Sequence, residues 1–148
     1  MKKKNILIIG AGSIGNHFAN ASRSLGLNVY VSDKYSTALK RMKNKIYPKR
    51  YNKWDKEIYL LKFEKKELIK LPLIDLVIIG TPPASHFEVY RYLNKFLKFK
   101  KLMFEKPLCT FLQNEKKYQF INKENEFFCG YNHSISKSFL FFEKILRK

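Results

Sequence analysis

Short apolar runs alternate with amphipathic stretches along this chain, and the alternation predicts most of its elements. Ile6 to Ile9 is four consecutive aliphatic residues closed by Gly10. The run is too short for a helix and rich in β-branching, which suits a strand buried on both faces. Ile14, Phe18, Ala21 and Leu25 follow at i, i+4, i+7 and i+11, an apolar helical stripe that Gly26 stops. Leu27 to Ser32 reads as a second strand, Ser36 to Lys45 as a helix with Leu39, Met42 and Ile46 on one side. The stretch from Tyr47 to Lys56 is polar, aromatic and contains Pro48, and it reads as a surface loop. Glu57 to Leu61 predicts a third strand, and Glu64 to Leu71 a short charged helix ended by Pro72. Leu76 to Ile79 is a second buried-type run, Phe87 to Leu97 a helix carrying Val89, Leu93 and Phe96, and Lys101 to Phe104 a fifth strand. Strands and helices in strict turn predict an α/β fold: a doubly wound parallel sheet with right-handed crossovers, Rossmann-like, in one domain. The last segment repeats the helical pattern at Ile135, Phe139, Phe142 and Leu146, which predicts a trailing amphipathic helix over 133–148 behind a domain of 1–132.

Candidate chemistry gathers where the predicted strands end. Gly10, Gly12 and Gly15 fall in a G-x-G-x-x-G spacing between the first strand and the first helix. Gly10 permits the tight turn, Gly12 lets backbone approach a diphosphate, and Gly15 lets the helix lie against the strand. Ser13 and Ile14 open that helix, whose free N–H groups and partial positive charge face the phosphates. Asp33 closes the second strand 18 residues past Gly15. An acidic residue there accepts from ribose hydroxyls and repels a 2′-phosphate. As a plain structural residue it caps the next helix. Lys34 beside it softens the choice between NAD and NADP. Gly80-Thr81-Pro82-Pro83 places an extended turn at the carboxyl end of a strand, where open α/β sheets hold ligands. His86 follows in the first turn of a helix, where the dipole disfavours a cationic ring. It either contacts a cofactor or bonds backbone. Glu105-Lys106-Pro107 falls at the same edge. A lysine held there and partly desolvated exchanges protons with a hydroxyl. By itself the tripeptide is equally an ordinary surface turn.

Composition narrows the classes. A chain of 148 residues suits one domain and can bury roughly 70% of its unfolded surface. A hydrophobic content of 45% excludes a disordered chain. No apolar run approaches the roughly 18 residues of a membrane span. Lys2 to Lys4 before an apolar run imitate a secretory signal, but three glycines, Asn16 and His17 interrupt it. Cys109 and Cys129 have neither disulfide-framework nor metal-ligand spacing, so no metal is expected and the thiols fit a reducing cytoplasm. The net charge of +18 raises nucleic acid as a partner. Against it, 25 of the 30 basic residues are Lys, spread along the chain, whereas base readers lean on Arg.

Taken in order, G-A-G-S-I-G, Asp33, T-P-P-A-S-H, E-K-P-L and G-Y-N at Gly130 to Asn132 resemble the amino-terminal half of the Gfo/Idh/MocA oxidoreductases. These are NAD(P)-dependent dehydrogenases of sugars, sugar nucleotides and cyclitols. The resemblance implies that Gly10, Gly12, Ser13, Ile14, Gly15 and Asp33 hold the nucleotide. It implies that Thr81, Pro82 and His86 line the cofactor cleft, that Glu105 lies by the nicotinamide ribose and that Asn132 lies at the nicotinamide end. Lys106 would be the acid–base lysine for a sugar-like substrate, and Pro107 would shape its turn. Family members also carry a second, substrate-binding domain with a D-x-x-x-H pair, and this sequence has no such pair. The expectation is therefore an NAD-binding domain, incomplete for catalysis alone, with 135–146 offered to a partner subunit or second domain. A non-catalytic nucleotide- or partner-binding module is the alternative.

Overall fold

The computed structural model describes residues 3–110 and 126–130. Asn132 and the predicted helix over 133–148 lie outside these residues, as does the boundary placed after 132. Six strands are present among the described residues: β1 (Asn5–Ile9), β2 (Asn28–Asp33), β3 (Ile58–Lys62), β4 (Ile74–Ile79), β5 (Phe99–Glu105) and β6 (Glu126–Gly130). The helices are α1 (Ser13–Ser24), α2 (Ser36–Arg41), α3 (Tyr47–Tyr51), α4 (Lys65–Leu68) and α5 (His86–Asn94). The sheet order is β3-β2-β1-β4-β5-β6, and every pairing is parallel. The chain runs outward from β1 to β3, then returns to the other side of β1 for β4. The direction of winding therefore reverses between β1 and β4, and loops on either side of that point leave a crevice at the carboxyl ends.

The aliphatic run of β1 explains the two-layered core. Leu7 and Ile9 face one side of the sheet and pack with Val77 and Ile79 of β4, Leu68 of α4, and Phe87, Tyr90 and Leu93 of α5. Ile6 and Ile8 face the other side, where Ala19 of α1, Leu39 of α2, Met42 and Tyr47 cover them. A strand buried on both faces needs an unbroken apolar run, and β1 supplies one. Among the described residues no helix is long and apolar enough to cross a membrane.

Three expectations are corrected. The stripe of Ile14, Phe18, Ala21 and Leu25 is not the buried face of α1. That face is Gly15, Asn16, Ala19 and Ser22, while Leu25 is 75% exposed. Small residues win because α1 must come close to the sheet. A Cβ built on Gly15 would overlap the carbonyl oxygen of Gly10. Tyr47 to Lys56 is not wholly loop. Helix continues from α2 through a π-helical turn, Met42–Ile46, into α3. The Tyr47 N–H bonds back five residues to the Met42 carbonyl. A widened turn just ahead of Pro48 accommodates a ring that would clash in a regular α-helix. Tyr47, 3% exposed, then anchors the segment against Tyr51 and Trp54. Finally, β6 was not anticipated. Its sequence, E-F-F-C-G, has no alternation, and it forms by pairing Phe128 with Met103 and Gly130 with Glu105 on β5.

At the amino end of the sheet Asp75 joins three strands. Its carboxylate accepts from the Asn5 N–H at 2.9 Å and pairs with Lys100 at 2.7 Å. The Lys100 ammonium, and then the Asn5 N–H, hold the carboxyl below its ordinary value. A carboxylate depressed in this way adds stability above the unfolded-state value, and that stability is lost as pH falls through the folded-state value.

Two outcomes follow for stability. Gly15→Ala should cost at least about 2 kcal/mol, since the added methyl meets rigid backbone rather than a flexible side chain; urea unfolding measures it. Asp75→Ala should cost about 1 kcal/mol at neutral pH, and its deficit against the unaltered protein should close below about pH 4, as read from unfolding midpoints across pH.

Candidate cofactor-binding site

The crevice at the β1/β4 reversal is an open cleft of about 600 Å³. Gly10 and Gly12 form its floor, Gly80, Thr81 and Pro82 one wall, and Asp33, Lys34 and Tyr35 the other. Gly10 takes a φ of +109°, and its N–H donates to the Ser32 carbonyl at 2.8 Å. A side chain there would be strained, and its Cβ would lie 2.9 Å from the Gly80 oxygen. The turn after β1 is thus pressed between the ends of β2 and β4.

Gly12 is different. Among the described residues a Cβ on it would meet no atom within 4 Å. The space above it is open, and α1 starts immediately beyond. No side chain caps α1, and its first turn has no acidic residue. Its leading N–H groups, Ser13 and Ile14 among them, therefore face that space with their partial positive charge. Asn16 steadies the loop by donating from Nδ2 to the Gly12 carbonyl at 2.7 Å. An uncapped helix end over an open glycine cradle is the arrangement that accepts a diphosphate.

Asp33 closes the other end of the cradle. Its Oδ2 accepts from the Ala11 N–H and its Oδ1 from the Tyr35 N–H, both at 2.8 Å. These bonds fix the carboxylate on the cleft wall, and each oxygen keeps a lone pair for a ribose hydroxyl. Beside it, the Lys34 ammonium lies 5.6 Å from the centre of the Tyr35 ring, and Arg41 reaches the same part of the cleft. The sequence reading had not picked out Arg41; its place four residues after Thr37 on α2 gave no signal.

Of the other predicted residues, Thr81 and Pro82 line the cleft, whereas His86, Glu105 and Lys106 do not. The expectation that His86 contacts a cofactor is corrected by its burial. The ring is wholly enclosed against Phe104, with Nε2 2.7 Å from the Thr81 carbonyl and Nδ1 3.1 Å from the Leu108 carbonyl. It bridges the turn after β4 to the turn after β5, so it shapes the wall from behind. Glu105 is 6% exposed and accepts from the Lys106 N–H at 2.9 Å. Gly130 makes room for it: a Cβ there would lie 3.4 Å from Glu105 Oε1 and 2.7 Å from the Met103 methyl. The Lys106–Pro107 peptide is cis. The Lys106 side chain is exposed, so the desolvation expected from sequence is absent among the described residues.

A family profile described as "Oxidoreductase family, NAD-binding Rossmann fold" matches residues 4–133. The chain belongs to the Gfo/Idh/MocA oxidoreductase family. It carries that family's NAD-binding Rossmann domain. No curated protein matches the chain significantly. Solved structures do. An NAD-binding protein from Listeria innocua superposes with a TM-score of 0.67 at 17% identity, covering 99% of this chain and 40% of its own. A myo-inositol 2-dehydrogenase from Lactobacillus plantarum gives 0.65 at 24%, covering 99% and 41%. A WlbA dehydrogenase from Chromobacterium violaceum, solved with NADH and UDP-GlcNAcA, gives 0.69 at 16%, covering 99% and 40%. The chain thus spans about 40% of the length of these Gfo/Idh/MocA relatives. Among its described residues no three His, Cys, Asp or Glu side chains are placed to share a metal ion.

The His86 bridge makes a testable claim. His86→Leu keeps roughly the volume but removes the ring nitrogens that face the Thr81 and Leu108 carbonyls, at a cost of about 1–3 kcal/mol. Thermal unfolding should show the loss, while Phe87→Leu, a packing change on the same helix, should cost less.

Proposed function

We propose that this chain binds NAD in the cleft above Gly12, as the cofactor-binding part of a dehydrogenase acting on a sugar, sugar-nucleotide or cyclitol hydroxyl. The observation that carries the reading is the open cradle at Gly12, bounded by an uncapped helix on one side and a backbone-held Asp33 on the other. In this reading the N–H groups of Ser13 and Ile14 hold the diphosphate, and Gly10 and Gly15 keep the loop in place beneath it. Asp33 accepts from the adenosine ribose hydroxyls. Thr81 and Pro82 guide the chain of the cofactor toward the β5 edge, where Glu105 and Lys106 stand and where Asn132 is assigned by family likeness. NAD is the preferred form, because the Asp33 carboxylate repels a 2′-phosphate. Lys34 and Arg41 lower that barrier enough for NADP to bind more weakly.

When bound, the nicotinamide accepts or supplies a hydride. The work of this chain's residues is binding, orientation and proton handling. Lys106 takes the proton of the substrate hydroxyl, and it gives one back in the reverse direction. At an exposed lysine, water competes for that exchange. A substrate domain or partner subunit that covers Lys106 is therefore part of the complete enzyme, and relatives more than twice as long are in keeping with that. Alone, the chain is a nucleotide-binding module without turnover; 135–146 is the segment assigned to meet the missing part.

Titration with NADH and NADPH, followed by cofactor fluorescence, tests the reading. NADH should bind below millimolar and more tightly than NADPH. Asp33→Asn should weaken NADH by about 1 kcal/mol, near the worth of a charge-assisted hydrogen bond, and narrow the gap to NADPH. If neither dinucleotide binds below millimolar, the cofactor reading is wrong.

A further inference from the structure

One face of α1 carries three polar side chains at i, i+4 and i+7: Ser13, His17 and Asn20. Each is met by a side chain from α3. The Tyr47 hydroxyl lies 3.2 Å from Asn20 Oδ1, and the Tyr51 hydroxyl 2.6 Å from His17 Nδ1. The Arg50 guanidinium donates to the Ser13 carbonyl at 2.9 Å and to Ser13 Oγ at 2.8 Å. The helical segment that sequence had read as loop is therefore a strut laid along α1. Its seam ends at the first residue of that helix, beside the glycine cradle.

We propose that Arg50 is a positioning residue for the diphosphate of a dinucleotide, acting through Ser13 and through its own charge. The inference rests on the reading that NAD binds above Gly12, and it adds a residue from outside the glycine loop. The chemistry is specific. Ser13 Oγ accepts from Arg50, so its own proton points elsewhere and is free to donate to a phosphate oxygen at the helix end. The guanidinium has five N–H donors, and two are spent on Ser13. The rest make no side-chain hydrogen bond among the described residues, and Arg50 is exposed where it meets Ser13, next to Gly12. Among the described residues no acidic side chain bonds this guanidinium, and α1 has none in its first turn, so no described carboxylate cancels the positive charge locally. By contrast Arg23, at the other end of α1, is committed to Asp55 and Glu57. A diphosphate at the cradle meets the helix end, the Ser13 hydroxyl and the Arg50 cation together.

The test uses the unaltered chain, Arg50→Gln, Arg50→Lys and Ser13→Ala, with NADH, ADP and adenosine as three separate probes in calorimetric titrations. Arg50→Gln should weaken NADH and ADP about five- to twentyfold, the range of one lost charge-assisted contact, and flatten the salt dependence of both. Adenosine, which has no phosphate, should bind within twofold of the unaltered chain. Arg50→Lys should fall between, retaining the charge but not the two-pronged contact. Ser13→Ala combined with Arg50→Gln should lose less than the two single losses added. If the unaltered chain binds NADH and Arg50→Gln binds it equally well, the Arg50 proposal is overturned while the cofactor reading stands. If Arg50→Gln and Arg50→Lys lose adenosine as much as ADP, or melt without binding anything, Arg50 only braces the fold and the proposal is likewise overturned. If the unaltered chain binds no dinucleotide, the cofactor reading falls first.

Discussion

The fold depends on one close approach. Gly15 sits so near the turn after β1 that its missing side chain is the space occupied by the Gly10 carbonyl. Gly10 in turn is pinned by the Ser32 carbonyl and by the backbone of Gly80. Three segments from distant parts of the chain therefore meet through backbone alone, at the point where the sheet reverses its winding. Side chains cannot mediate such a contact without pushing α1 off the sheet. The same closeness aims the amino end of α1 at the crevice and leaves open space over Gly12. Packing and binding are thus one geometric fact: what brings the helix down also exposes its uncapped end.

That fact also separates what was legible in the sequence from what was not. The run from Ile6 to Ile9, the glycine spacing and the acidic residue that ends β2 are local signals, and Ile9, Gly10, Gly12 and Asp33 from them line one crevice. The exposed stripe on α1 was misread because hydrophobicity alone ranks Leu25 above Ala19. Close approach reverses the ranking, since only small side chains fit between helix and sheet. Pro48 was misread because a proline ends a regular helix, whereas a π-helical turn ahead of it relieves the clash. β6 gave no signal because its residues are half exposed and its pairing with β5 is supplied by a distant segment. His86 shows a further limit. Sequence identified a histidine at a helix start beside a ligand edge, but only the fold shows its two ring nitrogens facing carbonyls of two different turns.

Burial divides the candidate site into two halves with different tasks. On the β1–β2 side the groups are set by backbone: Asp33 by two N–H donors, the loop by Asn16, the helix end by its own geometry. Nothing further has to order for a diphosphate and ribose to be met, and this is why affinity is expected of the described chain. On the β5 side Glu105 is buried and fixed, but the next residue, Lys106, is exposed. The Glu105 carboxylate fixes where the lysine begins, not what surrounds its amine. Binding needs only the first half. Proton transfer needs the second half to be dry, because water competes for the lysine proton and screens its charge.

Cover for the lysine and strength of cofactor binding are therefore separate properties of the chain, governed by separate segments. The diphosphate end is braced by α3, whose polar contacts run along α1 from Asn20 to Ser13. This brace lies on the opposite face of the sheet from α5 and its His86 bridge. A change on α3 should alter how the phosphates are held and leave the β4 and β5 turns as they are. A change at His86 should shift the Thr81 and Leu108 turns and leave the cradle intact. Between the two faces lie the strands, and in the central pair β1 and β4 the paired residues, Ile8 with Ile78 and Ile9 with Ile79, are almost wholly buried. Such a packed pair of strands transmits little movement, because neighbouring side chains leave no room for it. The sheet thus acts as a rigid partition, with the α3 brace on one side and the α5 packing behind the His86 bridge on the other.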